Sequence, residues 1–352
     1  MEPNRYYVKN GDTLASIAEE LGLSISEIKK YHNESSRPHE WIKEDNSLPA
    51  WSTFIIIPDS VEVLKKKKED LLSSEKVALR QKETDTDKYL ILQKIDMQVS
   101  GSSMIDSETE MVWEFRKFKK DGIFYGAIQQ KLHQVKYIKS IYRQFAEYMQ
   151  KFNKPLEHLV IGLSQEGGVE SLVNQEEIKE RWNRLKNELQ PELGNTFEEK
   201  NMIEGGDRDF SDTLPLIKNN LLYTLFLNDL FYEYADPGIF VEQGKQQYIS
   251  QIFANESVMI LTKRKVEKDG DILKIKFYSE ADPDKNNHLR NIYNTKLKDF
   301  LQEHFDYAFT WSLEYHFDIQ KGKMLLCHSK IKEQASRKYT HLTEHTIQLS
   351  KN

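Results

Sequence analysis

Tyr6-Tyr7-Val8-Lys9-Asn10-Gly11-Asp12-Thr13-Leu14-Ala15-Ser16-Ile17-Ala18 is the stretch from which the rest of the chain is read. Tyr6 to Val8 is a short β run. It meets a turn at Asn10-Gly11, where glycine supplies the positive φ that such turns use. Asp12 or Thr13 offers a side-chain oxygen to cap the helix that follows. Leu14, Ile17, Ala18 and Leu21 recur at helical spacing and give that helix one apolar stripe. Gly22 ends it, as a glycine just past a helix does. Ser24-Ile25-Ser26-Glu27 opens a second helix, with Ile25 and Ile28 behind it, that closes near Asn33. A second strand, Phe54-Ile55-Ile56-Ile57, stops at Pro58.

This β-α-α-β order, with its Y-x-V strand, Gly11-Asp12-Thr13-Leu14 turn, Ser16-Ile17-Ala18 helix, terminal Asn33 and closing Ile57-Pro58, resembles the LysM domain. The resemblance implies binding of N-acetylglucosamine polymers, peptidoglycan or chitin. The sugar would lie in a shallow groove between the first strand–helix turn and the loop before the second strand. By position, Gly11, Asp12, Thr13 and Leu14 form the first wall and Ser52-Thr53 the second. The second wall departs from the family, which usually has a Gly-Gln pair there and a shorter loop. The loop from Glu34 to Trp51 carries Trp41, Pro49 and Trp51. Its two indoles either stack on a sugar face or a partner, or cover the back of a small core.

The chain has 352 residues, enough for two or three domains. Hydrophobic residues are 38% and charged residues 30%, the balance of a soluble globular protein. A net charge of -6 gives no basic face for nucleic acid. Cys327 is the one cysteine, so no intramolecular disulfide can form and a reducing compartment is allowed. No window holds the ~18 apolar residues of a membrane helix. Met1 to Arg5 runs into the first strand without the charged and apolar regions of a secretory signal. The expectation is therefore a cytoplasmic protein, or one delivered by a secretion machine. LysM-like modules also occur in phage tails and contractile injection systems, where they join parts.

Residues 59–88 read as a charged helical linker. Its lysine run, Lys65 to Lys68, is followed at once by Glu69-Asp70, which favours a solvated face over a phosphate or lipid patch. Residues 89–138 read as three long antiparallel strands, with turns at Gly101-Ser102-Ser103 and Asp121-Gly122. Residues 139–235 read as mainly helical. Helices are expected near 140–151, 175–189 and 216–231, with a strand from Leu156 to Leu163. A polar loop is expected over 193–212, with a helical piece near Phe197 to Met202. Residues 239–349 return to strands, with Asp269-Gly270 and Lys321-Gly322 as hairpin turns, a helix over 287–305 and a last strand near Thr343 to Leu349. The class is α+β: a LysM module over 1–58, the linker, and a large domain over 89–352. A single curved sheet with helices on one face fits best, and two smaller strand-rich domains are the alternative.

No catalytic motif stands out: there is no HExxH, GxSxG, cysteine pair or phosphate-cradling glycine loop. His316 and His328 sit on strands without partners at ligand spacing, so no metal and no cofactor is expected. Cys327 follows an apolar run and reads as packing. A carboxylate pair for wall hydrolysis could assemble in the fold, but no pair is singled out. The sequence supports two non-enzymatic roles. One is an adaptor docking onto a spike or tail-like component of a contractile injection machine of the type VI kind. The other is a peptidoglycan-binding wall protein. A delivered wall-targeting effector is the third reading.

Overall fold

Strand pairing sets the architecture of the computed structural model, which describes residues 4–9, 11–36, 40–43, 46–48, 52–57, 76–189, 197–235, 240–253, 256–282 and 285–350. The side chains of residues 34, 144, 145, 147–149 and 197–199 are outside that description. The chain divides into two units, Met1–Glu75 and Lys76–Asn352.

In the first unit, β1 (Arg5–Tyr7) pairs antiparallel with β2 (Phe54–Ile56), with Tyr6 opposite Ile55. Between them lie α1 (Leu14–Leu21) and α2 (Ile25–Ser35). Both helices open with reciprocal capping boxes. Thr13 and Ser16 satisfy each other's backbone at α1, and Ser24 and Glu27 do so at α2. Gly22 closes α1 at φ 68°, a left-handed geometry that glycine takes without strain. Leu14, Ile17, Ala18 and Leu21 turn their shared stripe onto Tyr6, Ile28, Ile42 and Ile55.

Among the described residues, the second unit is built on one antiparallel sheet of eleven strands. In chain order they are β4 (Asp87–Val99), β5 (Ser102–Lys120), β6 (Ile123–Ile138), β7 (His158–Leu163), β8 (Val169–Leu172), β10 (Val241–Ile249), β11 (Ser257–Asp269), β12 (Ile272–Ala281), β13 (Ala308–Asp318), β14 (Lys323–Ser336) and β15 (Tyr339–Leu349). Spatially the order is β10-β11-β12-β13-β14-β15-β4-β5-β6-β7-β8. Two meanders therefore join where β15 lies along β4, with Ile347 opposite Ile91. That pairing is what makes one sheet out of the two strand-rich halves. The hairpins at Ser100-Gly101 and Asp121-Gly122 place both turn residues at positive φ, the geometry that matches strand twist.

Helices α4 (Gln175–Leu189), α5 (Phe197–Ser211), α6 (Leu214–Asn219) and α7 (Leu221–Phe226) supply one core cluster. They pack on Ile91, Trp113, Ile128 and Ile161 of the sheet. A second cluster joins α8 (Asn287–Lys296) and α9 (Lys298–Leu301) to Val258, Ile260, Phe309 and Ile331. Another helix, α3 (Arg143–Phe152), follows β6. The opposite sheet face carries cross-strand ion pairs such as Lys94–Glu108 at 3.0 Å and Lys330–Glu344 at 2.6 Å. At such exposure these contribute little stability each.

Four sequence expectations differ from the structure. Most of the 59–88 linker lies outside the described residues, but its end does not behave as linker. β3 (Lys76–Ala78) pairs with β9 (Glu233–Ala235), and Val77 and Leu79 are buried in the core. The polar stretch read as a loop over 193–212 is helical from Phe197 to Ser211. Gly206, a loop cue in sequence, is where that helix meets Trp182: a Cβ there would lie 2.3 Å from the indole. The single helix read over 216–231 is broken at Asn220. That side chain accepts from the backbone N–H of Leu222 at 3.0 Å and so starts a new helix. The helix read over 287–305 is likewise two pieces, ending at Gln302 with φ 49°.

Trp113 ties helices to sheet, stacking on Tyr223 at 5.2 Å while 2% exposed. Trp113→Ala is expected to lower the unfolding free energy of this unit by about 3–5 kcal/mol, read by urea titration. A loss below about 1 kcal/mol would show that the cluster does not hold the helices to the sheet.

Candidate functional site

The sequence-derived groove residues fall on the β1–α1 corner and the approach to β2. Gly11 sits at φ 94° on the turn, and Asp12 N–H closes it on Lys9 O at 3.1 Å. The Asp12 carboxylate accepts from Lys9 N–H at 2.8 Å and from the Tyr6 hydroxyl at 3.1 Å. Tyr6 also donates to Glu20 at 2.7 Å, and Lys9 pairs with Glu20 at 3.2 Å. The hydrogen bond from Tyr6 and then Lys9 lowers the Glu20 pKa, while the bond to Glu20 raises that of Tyr6. Asp12 and Thr13 thus hold the corner's shape. Leu14 is buried in the core beneath it and faces away from solvent. The second wall adjoins the first, because Val8 N–H donates to Thr53 O at 3.1 Å. Ser52 is half-buried and the Thr53 side chain exposed.

Trp41 is 46% exposed, with its indole N–H on Ser36 O at 3.3 Å. Its ring is therefore held in place yet open to a ligand. Trp51 lies outside the described residues. Two further side chains pin this loop, one of which sequence reasoning missed. Asn33, noted only as a helix end, exchanges both amide groups with Ile42: Nδ2 donates to its carbonyl at 3.1 Å and Oδ1 accepts its N–H at 2.8 Å. His32 is buried between α2 and β2. Its Nδ1 accepts from Ile56 N–H at 3.0 Å, which leaves Nε2–H to donate to Glu40 O at 3.0 Å. Its cue was spacing: His32 follows Ile28 by four residues, on the stripe that faces the strand.

The large unit holds a cleft of about 550 Å³ between the segment after α7 and strands β10 to β13. Its floor lies on the same sheet face as both core clusters. Along β12, Leu273 and Ile275 belong to one cluster and Ala281 packs on the other, with Phe277 and Ser279 between. Along β11, Thr262 lies between Ile260 and Val266 at the same alternation. The helices cover the two ends of this face, and the gap between them is the cleft.

The gap is polar where the alternation calls for aliphatic residues, and the polar positions form two registered runs offset by two residues at β13. Thr262 pairs Ser279, and Ser279 pairs Trp311. Further across, Leu313 pairs Ser329, Ser329 pairs His345, and His345 pairs Gln93. Side chains link along this row. Thr262 bonds Gln246 at 3.2 Å and Ser279 at 2.9 Å, Trp311 N–H donates to Ser329 at 2.9 Å, and Gln93 meets His345 at 3.1 Å. Burial pushes the His345 imidazole down to about 4.

A separate small pocket of about 30 Å³ is lined by Lys117, Asp87, Tyr89 and Lys323. Asp87 pairs with Lys323 at 2.8 Å, and the Lys117 ammonium lies 3.9 Å from the Phe231 ring centre. Of the other sequence candidates, His316 pairs with Glu314 at 2.7 Å and His328 is exposed. Cys327 is buried among apolar side chains, and burial raises its thiol pKa. Among the described residues no helix is long and apolar enough to cross a membrane.

A LysM domain model matches residues 6–33, which cover the corner, α1 and most of α2. The N-terminal unit therefore carries a LysM domain. No curated protein matches the chain. Among solved structures, one described as lipid–protein interactions in lipovitellin is similar over 76% of this chain, at 10% identity and a TM-score of 0.38. The match covers 25% of that chain, so this protein spans about a quarter of its length. An outer membrane channel from Pseudomonas putida F1 is similar over 77% of this chain and 98% of its own, at 5% identity and a TM-score of 0.15. At these scores neither similarity bears on function.

Lys117 makes the large unit sensitive to pH. Burial pulls its pKa from 10.5 to about 7, with Asp87 opposing. Above about pH 7 the unfolded chain keeps a proton that the folded chain has lost, so stability rises with pH. The slope is up to about 1.4 kcal/mol per unit. Urea unfolding at about pH 7 and about pH 8.5 brackets the effect below the ordinary Cys327 value of 9.0. The rise is expected in the wild type and absent in Lys117→Met. A flat wild-type profile would contradict a buried ammonium held below its ordinary pKa.

Proposed function

We propose that the chain binds N-acetylglucosamine polymer, the glycan of peptidoglycan, through its N-terminal LysM unit. The supporting observation is the formed corner. Gly11 to Thr13 stand beside Thr53, with the corner's own polar groups already satisfied by Tyr6, Lys9 and Glu20. A preorganised edge of this kind meets a sugar strand at little ordering cost. Trp41, held at its N–H and open on its ring, is the aromatic surface for stacking. The adaptor role is the finer part of the reading. The LysM unit grips glycan or a machine part, and the large sheet unit serves as the non-enzymatic body that a spike or tail-like component of an injection machine would engage.

Co-sedimentation with purified peptidoglycan tests the glycan reading. The full chain is expected to pellet, and Trp41→Ala to weaken pelleting by about tenfold, the equivalent of ~1.4 kcal/mol. A chain that stays in the supernatant while an ordinary LysM control pellets overturns it, leaving the corner as a protein-docking surface.

A further inference from the structure

We propose that the cleft of the large unit is a saccharide site for a short, uncharged, N-acetylated oligosaccharide, independent of the LysM unit. Volume comes first. At about 550 Å³ the cleft lies within the ~300–1,000 Å³ of small-molecule sites. Its lining holds both kinds of group that a sugar ring meets. Neutral hydroxyl and amide groups of Gln246, Thr262 and Ser279 lie among the rings of Trp311, Phe277 and Tyr232, with Ser279 directly opposite Trp311. A pyranose presents hydroxyls at its rim and an apolar C–H face that packs on aromatic rings. The two charged lining residues, Lys218 and Asp229, have opposite signs, which disfavours an anionic or cationic ligand.

The buried members of the row argue against a purely structural role. Thr262 and Ser279 are 4% and 2% exposed, on a sheet face where the same strands also carry Ile260, Val266 and Ile275, with Arg264 between Thr262 and Val266. Valine in place of Thr262 would fit the alternation beside Ile260. Burying hydroxyls instead costs about 1–3 kcal/mol each unless they are bonded. The structure meets that cost only by bonding them to one another and to Gln246. Trp311 has spent its indole N–H on Ser329, so its half-buried ring is fixed in orientation and offers only a stacking surface. The acetamido preference comes from Asn228. This residue lines both the cleft and the small pocket and is 7% exposed, and its Oδ1 has no hydrogen-bond partner among the described residues. A buried amide oxygen without a donor calls for an N–H, which an acetamido group supplies. A fatty acyl chain would leave the Asn228 Oδ1 unpaired against hydrocarbon and is disfavoured on the same ground.

The test is fluorine NMR on the full chain labelled with 5-fluorotryptophan. The chain has five tryptophans, and the resonance missing in Trp311→Phe assigns Trp311. Titration with N,N′-diacetylchitobiose is expected to shift the Trp311 resonance saturably. Trp41 and Trp51 report the LysM unit in the same spectra, so failure there and failure here are read apart. Thr262→Val with Ser279→Ala is expected to weaken the Trp311 response by about tenfold. The Trp113 and Trp182 resonances in that variant check that its core is intact. A Trp311 resonance unmoved by the disaccharide in the wild type overturns the proposal. So does a saturable shift with laurate at lower concentration than with sugar.

Discussion

The structure depends on a period-2 constraint held across eleven strands. In an antiparallel sheet each strand turns alternate side chains to alternate faces, so a slip of one residue would exchange core for solvent. The pairing of β15 with β4 transmits this alternation from one meander to the other, through Ile347 opposite Ile91. Once the halves share a register, one face of the whole sheet is apolar and must be covered. The segment from α4 to α7 covers it at one end, and α8 with α9 covers it at the other. The row from Thr262 to Gln93 is the interval between those two covers. Its polar side chains bond in separate groups, Gln246–Thr262–Ser279, Trp311–Ser329 and Gln93–His345, because groups there cannot reach bulk water freely.

The first unit solves a different problem. With so few residues it buries little, and a small core leaves a small margin of stability. Side-chain bonds to backbone do much of the fixing. Capping boxes stop both helices from fraying at their starts, and His32 and Asn33 staple the long loop to α2 and β2. The same economy shapes the corner. Asp12 and Thr13, which look like ligand groups in sequence, are occupied in holding the turn and starting α1. What remains for a ligand is shape, the backbone of the turn, and the exposed ring of Trp41.

Legibility in the sequence followed the range of the interactions. Local chemistry was readable: the Thr13 and Ser24 caps, the Gly22 stop and the Asp121-Gly122 hairpin all act within a few residues. The α+β class was readable too, because strands of this length keep their alternation visible. Long-range causes were not. Gly205-Gly206 reads as a loop until Trp182 is seen against it. Asn220 sits in an apolar run that looks like one helix, and only its bond to Leu222 shows the break. The end of the charged stretch at Val77 and Leu79 looks like linker because its partner, β9, lies more than a hundred residues away. The polar row was invisible for the same reason. A lone threonine or serine in a strand is ordinary, and only the pairing of six strands makes a row of them.

Hydrogen-exchange mass spectrometry of the full chain, with and without N,N′-diacetylchitobiose, addresses the central claim that glycan is held at both the corner and the break in the sheet's covered face. The account gives two separate footprints of slowed exchange, one over residues 8–17 and 52–57 and one over 258–264, 275–281 and 308–315. Slowed exchange in neither region, or only at segments remote from both, would contradict it.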